Sequence, residues 1–147
     1  MIEIREATIH DIDQIAFLFD QYRIFYKKTS DPEGAKKFIS DRFNKKESVI
    51  FIAVDTIQII GFVQLYPLFS STRMKRLWLL NDLFVSSEHR GLGYSVQLIE
   101  KCKSFCLETG ACGLILETAI DNAIGNNLYP GTGFTLDKEF NRYYWDV

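Results

Sequence analysis

The stretch Arg90-Gly91-Leu92-Gly93-Tyr94-Ser95 sets two glycines one residue apart, just where an amphipathic run carrying Val96, Ile99, Cys102 and Cys106 begins. Glycine disfavours helix, so such a pair serves either a tight turn or the close approach of a ligand to backbone N–H groups. The unpaired N–H groups and partial positive charge of a helix start suit a phosphate. Arg90 brings a guanidinium for charge-assisted contacts beside them. Upstream, in LLNDLFV, Asp82 lies between apolar neighbours. A carboxylate in that setting requires a functional or a structural partner.

Composition narrows what these residues can serve. The chain has 147 residues with net charge −2, and 14% of them are aromatic. That length fits a single domain, 1–147, with a real hydrophobic core. The charge gives no general attraction to nucleic acid or to an anionic membrane, so any anion site is local. The short basic cluster Arg73-Met74-Lys75-Arg76 reads as a solvated turn. No apolar run approaches a membrane span and MIEIREATIHD lacks a signal-peptide core, from which a cytoplasmic protein is expected. Cys102, Cys106 and Cys112 are odd in number and lie in apolar segments, as buried thiols do in a reducing compartment. The two histidines have no neighbouring ligands at useful spacing, so no metal site is expected.

The elements that must position the site follow from periodicity. MIEIREAT alternates as a strand, and Thr8 with Asp11 forms a capping-box pattern before Ile12, Ile15, Leu18/Phe19 and Tyr22 at helical spacing. Asp31-Pro32 starts a second helix, with Ala35, Phe38, Ile39 and Phe43 as its face. SVIFIAVD, IIGFVQLYPL and RLWLLNDLFV read as consecutive strands. The helix after the glycines closes at Gly110, GLILETA is a strand, DNAIGNNLYPGTGF a weaker helix giving way to a turn, and RYYWDV a final strand. The order β-α-α-β-β-β-α-β-α-β predicts an α/β (α+β) fold, with a mixed, mostly antiparallel central sheet and helices on both faces. Two other phosphate-binding motifs are excluded. No Gly-Lys-Ser/Thr occurs for a P-loop, and Val96 stands where a dinucleotide fingerprint needs its third glycine.

Arg90-Gly91-Leu92-Gly93-Tyr94-Ser95, preceded by LNDLFVSSEH, resembles the acetyl-CoA signature of the GCN5-related N-acetyltransferase (GNAT) family, Arg/Gln-x-x-Gly-x-Gly/Ala. A second block, from Asp121-Asn122 through Leu128-Tyr129 to Gly133-Phe134, resembles that family's Asn-x-x-Ala-x-x-Leu-Tyr-x-x-x-Gly-Phe segment. Both lie in a matching order of elements, and the likeness is most specific from Leu77 to Phe134. Ser95 and Gly125 depart from the family's usual residues, the first mildly.

The resemblance implies acetyl-CoA as donor and direct acetyl transfer to an amine. It implies that Arg90, Gly91, Leu92, Gly93, Tyr94 and Ser95 hold the pyrophosphate. Backbone groups of Leu83, Phe84 and Val85 would receive the pantetheine on a strand splayed from its neighbour. Asn122 and Asn127 would contact the cofactor, with helix capping as the alternative for Asn122. Tyr129 takes the position of the general acid and also lies against the cofactor. Pro130 directly after it is expected to disturb the helix there. For the general base the candidates are Asp82 and Glu117, each also readable as a hydrogen-bonded sheet carboxylate. His89 has the residue type of a base, but its loop points to exposure or a phosphate contact.

Tyr22, Tyr26, Tyr66 and Asp82 are the expected acceptor-binding residues, with Asp20 and Asp31 as nearby acids. Aromatic walls with acids suit a cationic amine such as a polyamine, an amino acid or, less favoured, a protein lysine. YPLFSSTRMKRLWLLNDLFV is similar to a subgroup linked to histone and polyamine acetylation. Two alternatives stay open: a non-catalytic acyl-CoA-binding regulatory domain, and transfer from another acyl-CoA. A homodimer is implied by family habit, with Tyr143, Tyr144 and Trp145 as contributors or as internal packing.

Overall fold

A computed structural model describes residues 1–147 as two compact units, Met1–Glu117 and Thr118–Val147. The first unit is built on a five-stranded sheet in sequential order, β1 (Ile2–Glu6), β2 (Val49–Asp55), β3 (Gln58–Ser70), β4 (Lys75–Val85) and β5 (Leu114–Leu116). Neighbours pair antiparallel from β1 to β4, and β5 runs parallel to β4. A parallel neighbour cannot be reached by a hairpin, and the crossover is α3 (Tyr94–Glu108). Helices α1 (Ile12–Phe25) and α2 (Pro32–Asn44) connect β1 to β2.

Strand alternation sends side chains to two helical layers. Ile50 and Ile52 of β2 join the core with Ile15, Phe19 and Ile39 of α1 and α2. Phe51, between them, meets Phe105 of α3 edge-on at 5.3 Å on the opposite face. Both of the first helix starts behave as their sequences predict. The Asp11 carboxylate accepts from the Thr8 backbone N–H at 2.7 Å and the Thr8 hydroxyl at 2.9 Å, and takes a two-pronged contact from Arg5 at 2.8 and 2.9 Å. Asp31 accepts from the Gly34 N–H at 3.0 Å, and Pro32 opens α2.

The feature that makes room for a site lies in β4. Its pairing with β5 covers only Trp78, Leu79 and Leu80, so from Asn81 onward the sheet opens on that side. On the other side Leu65 faces Leu80 while Gln64 faces Asp82, leaving Asn81 as an extra residue, a β-bulge. The bulge reverses which face each later residue points to. Trp78 packs on Phe105 of α3, whereas Phe84 packs on Tyr22 of α1. In an uninterrupted strand positions 78, 82 and 84 would share one face.

In the second unit α4 (Ala123–Gly131) begins at Asn122, whose Oδ1 accepts from the Gly125 N–H at 3.2 Å. It runs through Pro130, so the disturbance expected from that residue does not end the helix at Tyr129. Proline so near the end removes only one helical N–H. The last turn is closed by the Thr132 and Phe134 N–H groups donating to the Tyr129 carbonyl at 3.1 and 3.0 Å. The final strand expected at RYYWDV is absent, since no helix or strand follows α4. Alternation and aromatic content favour a strand only where a partner edge exists, and the segment forms no ladder. Likewise GLILETA pairs over only three residues.

Candidate active site

Asp82 is the centre of the site. It is 3% exposed, and the groups around it are uncharged hydrogen-bond donors. Its Oδ2 accepts from the Gln64 amide at 2.6 Å and its Oδ1 from the Asn81 amide at 3.0 Å. The Tyr22 hydroxyl, donating to the Asn81 carbonyl at 3.2 Å, also favours the ionised carboxylate. Burial outweighs these donors and holds the Asp82 carboxyl above the usual carboxylate range. The Tyr66 hydroxyl accepts from the same Gln64 amide at 3.1 Å. Desolvation and, after it, the charge of Asp82 push Tyr66 and Tyr26 up from ordinary tyrosine values, so both stay as neutral hydroxyls. The four residues expected to bind the acceptor, Tyr22, Tyr26, Tyr66 and Asp82, are thus brought together by α1, β3 and the β4 bulge.

Two members of this cluster were not anticipated. Gln64 and Asn81 hold the carboxylate from either side, and the signal for Gln64 was present. It is a lone amide in the apolar run IIGFVQLYPL, the same anomaly that marked Asp82. Asp20 and Asp31 serve a different purpose from the acceptor surface expected of them. Asp20 accepts from the Ser30 hydroxyl at 2.6 Å and the Asp31 N–H at 2.7 Å, pinning the α1–α2 connection.

Beyond Asp82, Leu83, Phe84 and Val85 pair with β3 on one side only, and their remaining backbone groups face the open side of the fork. The chain then turns through a short 3-10 segment, Ser87–His89, where the Ser86 hydroxyl and His89 Nδ1 lie 2.7 Å apart. Gly91 and Gly93 both adopt left-handed backbone, with φ of 76° and 82°. An added Cβ at either would meet no protein atom within 4 Å, so the demand for glycine is conformational and the space beside the loop is open. Gly93 is the N-cap of α3, and no side chain caps that start, whereas Asp31 and Asn122 cap α2 and α4. The first N–H groups of α3, around Tyr94 and Ser95, therefore remain available to an anion beside exposed Leu92. Arg90 donates from Nε to the Val85 carbonyl at 3.0 Å, with its guanidinium over Phe84 at 5.3 Å and over half-exposed Phe25 at 5.7 Å. It ties the loop to the end of β4 and keeps a positive charge at the fork.

Glu117 lies past the end of β5 and is exposed. It has none of the burial that raises Asp82. In the second unit Tyr129 is half-buried, its ring edge-on to Phe134 at 5.9 Å. The Asn122 amide is engaged twice, donating to the Thr118 hydroxyl at 2.9 Å besides capping α4. That explains Gly125. A Cβ there would meet the Asn122 amide nitrogen at 2.7 Å and the Thr118 hydroxyl at 2.9 Å. Asn127 is exposed on α4. The thiol of fully buried Cys102 is pushed up to about 12 by desolvation, which makes it inert as a nucleophile.

Comparison with known proteins bears on the family and the fold. A family model described as the acetyltransferase (GNAT) family matches residues 13–134. The uncharacterized N-acetyltransferase YhfO of Bacillus subtilis is 42% identical over 146 residues, covering 99% of this chain and 98% of its own. A "probable acetyltransferase" of Haemophilus influenzae is 36% identical over 135 residues, covering 91% of this chain and 90% of its own. The crystal structure of a "probable acetyltransferase" superposes with a TM-score of 0.94 at 38% identity, covering 99% of this chain and 97% of that one.

Proposed function

The chain belongs to the GNAT acetyltransferase family, and from that premise we propose that it acetylates a primary amine of a small cationic molecule, with acetyl-CoA as donor and Asp82 as general base, the general-acid role of Tyr129 resting on its match to the family's tyrosine position alone. Acetyl-CoA supplies the acetyl group as an activated thioester. The residues present fit it: the left-handed glycines leave the space beside the loop open, α3 starts uncapped, and β4 offers unpaired backbone groups. In this reading the N–H groups of Gly93, Tyr94 and Ser95 receive the pyrophosphate, with the charge of Arg90 close by. The open edge at Leu83, Phe84 and Val85 takes the pantetheine as a strand takes a partner.

The observation that carries the reading is the carboxylate of Asp82, buried among tyrosine hydroxyls at the head of an open sheet edge. An alkylammonium has an unperturbed pKa of about 10 and must lose a proton before it attacks. A carboxylate whose proton affinity has been raised by burial receives that proton more readily than an ordinary one. Tyr22 and Tyr26 offer aromatic faces to the cation. Glu117 is exposed where Asp82 is buried, and is the weaker candidate on that ground. The departure at Pro130 kept the non-catalytic reading open, and an α4 that continues through Pro130 favours the catalytic one.

Acetyl-CoA-dependent thiol release, assayed with polyamines, amino acids, aminoglycosides and a lysine peptide, tests the proposal. Turnover is expected on a small amine. Bound acetyl-CoA without release on any acceptor would refute it, and a preference for succinyl-CoA would correct the donor. Tyr129→Phe is expected to lower kcat by about 100-fold while acetyl-CoA affinity stays within about threefold.

A further inference from the structure

Gln64 is completely buried, 0% exposed, and its carbonyl oxygen Oε1 accepts no hydrogen bond. A bare acceptor in such a place loses its hydration with nothing in return. The other end of the same amide is fully used, Nε2 donating to Asp82 Oδ2 at 2.6 Å and to the Tyr66 hydroxyl at 3.1 Å. While Asp82 is ionised the amide is locked in this sense. Turned over, it would set two oxygens 2.6 Å apart with no hydrogen between them.

Protonation of Asp82 removes that lock. The new Oδ2–H can donate to Oε1 of a turned amide, and the Tyr66 hydroxyl, a donor as well as an acceptor, can donate to the same oxygen. Two hydrogen bonds then replace two, and the end of the amide without a partner becomes its NH2 in place of Oε1. Oε1, bare in the first arrangement, becomes the atom that serves the second. We propose that Gln64 is a positioning residue that adapts to both protonation states of Asp82, giving its NH2 to the carboxylate and, turned over, its carbonyl oxygen to the carboxylic acid.

The inference deepens the reading of Asp82 as base and rests on it for the effect on turnover. The proton comes from the acceptor ammonium and resides on Asp82 Oδ2, and the amide only rotates. The groups facing Asp82 are Tyr22 from α1 and Tyr26 just past its end, Gln64 and Tyr66 from β3, and Asn81 from β4. All are uncharged near neutral pH, and the cation nearest in effect is Arg42 of α2, which acts on Tyr66. Gln64 therefore has no charged competitor among these for control of the carboxylate.

The test is a carbon-13 NMR titration of the Asp82 carboxyl in the full chain without substrate, the resonance being assigned by its loss in Asp82→Asn. Gln64→Met keeps the volume but offers neither donor nor acceptor. Its titration midpoint is expected to rise by about one pH unit or more, because the ionised form loses the stronger, charge-assisted bond. The acid limb of the kcat/KM profile should move up by the same amount. Gln64→Leu, likewise without donor or acceptor, should raise the midpoint similarly, and it carries the test if Gln64→Met fails to fold. An unchanged or lowered midpoint in the folded variant overturns the proposal. Full turnover by Asp82→Asn would instead sink Asp82 as base while leaving the titration result standing.

Discussion

Two buried carboxylates in the first unit have been given opposite company. At the corner between β1 and α1, Asp11 is 7% exposed and faces the Arg5 guanidinium in a two-pronged contact, with both donors of Thr8 completing its shell. The hydrogen bonds from Arg5, above all, hold its carboxyl well below the usual range. At the β4 bulge, Asp82 is 3% exposed and faces amides and hydroxyls only. There burial dominates, and the carboxyl is held high. Both are little exposed, but Asp82 lies far deeper among protein atoms, so its depth and the lack of a fixed cation together separate it from Asp11. A paired carboxylate has no reason to take a proton and acts as a fastener. An unpaired one stays responsive to the next cation that arrives, which is what a base for ammonium requires.

Substitutions that remove each carboxylate should expose this difference, the largest effect coming from Asp82. Asp82→Asn is expected to lower kcat by about 100-fold to 10,000-fold, with thermal stability at neutral pH unchanged or improved. The sign of the stability change follows from linkage. A carboxyl whose folded pKa lies above the unfolded value of 3.8 loses stabilisation as pH rises through that interval, and the Asn variant is free of this loss. Thermal melts of both proteins between pH 4 and pH 8 (about the accessible range) would show the gap widening with pH. A melting curve for Asp82→Asn that falls with pH in parallel with the parent would contradict the assignment.

Asp11→Ala should do the reverse. It removes the acceptor of the Thr8 N–H and leaves Arg5 only its longer contact to Glu3 at 3.9 Å and its bond to the Glu6 carbonyl, at a cost of about 2–4 kcal/mol by denaturant titration, with kcat per folded molecule unaltered. Because the folded pKa of Asp11 is depressed, its contribution is complete above the unfolded value of 3.8 and disappears as pH falls below it. The variant and the parent should therefore converge in stability in acid. A drop in kcat at full folding would break the distinction between the two sites.

The smallest effect is expected from Asn81→Ala. This exposed amide donates to Asp82 Oδ1, and water can replace it. The acid limb of the rate profile should rise by a few tenths of a pH unit, about 0.3, with the melting temperature kept. A shift as large as that of Gln64→Met would mean that the buried partner has no special hold.

The sequence was most informative where a residue violated its surroundings. Paired glycines at a helix start, and a carboxylate in an apolar strand, both marked positions that the structure brings to one end of the sheet. Helix caps at Thr8, Asp31 and Asn122 were legible because capping is local. The bulge was not, since an extra residue in β4 exists only relative to β3, and its register is a property of two strands. The same reason hid the roles of Gln64 and Asn81, which are defined by what lies across from them. RYYWDV failed in the opposite direction. Its composition is that of a strand, but composition names no partner edge.

The bulge at Asn81 also acts like a shifted reading frame within β4. Every side chain after it is presented one phase out of step with those before it, so Asp82 and Phe84 belong to the α1 side only by virtue of that one additional residue. Replacing Asn81 is a local edit. Deleting it would restore the frame and carry the carboxylate, with its neighbours, round to the α3 side, away from Gln64 and the tyrosines. The site thus depends on a residue count as much as on residue identity, and lineages that diverge freely in the chemistry of position 81 would still have to keep the position itself.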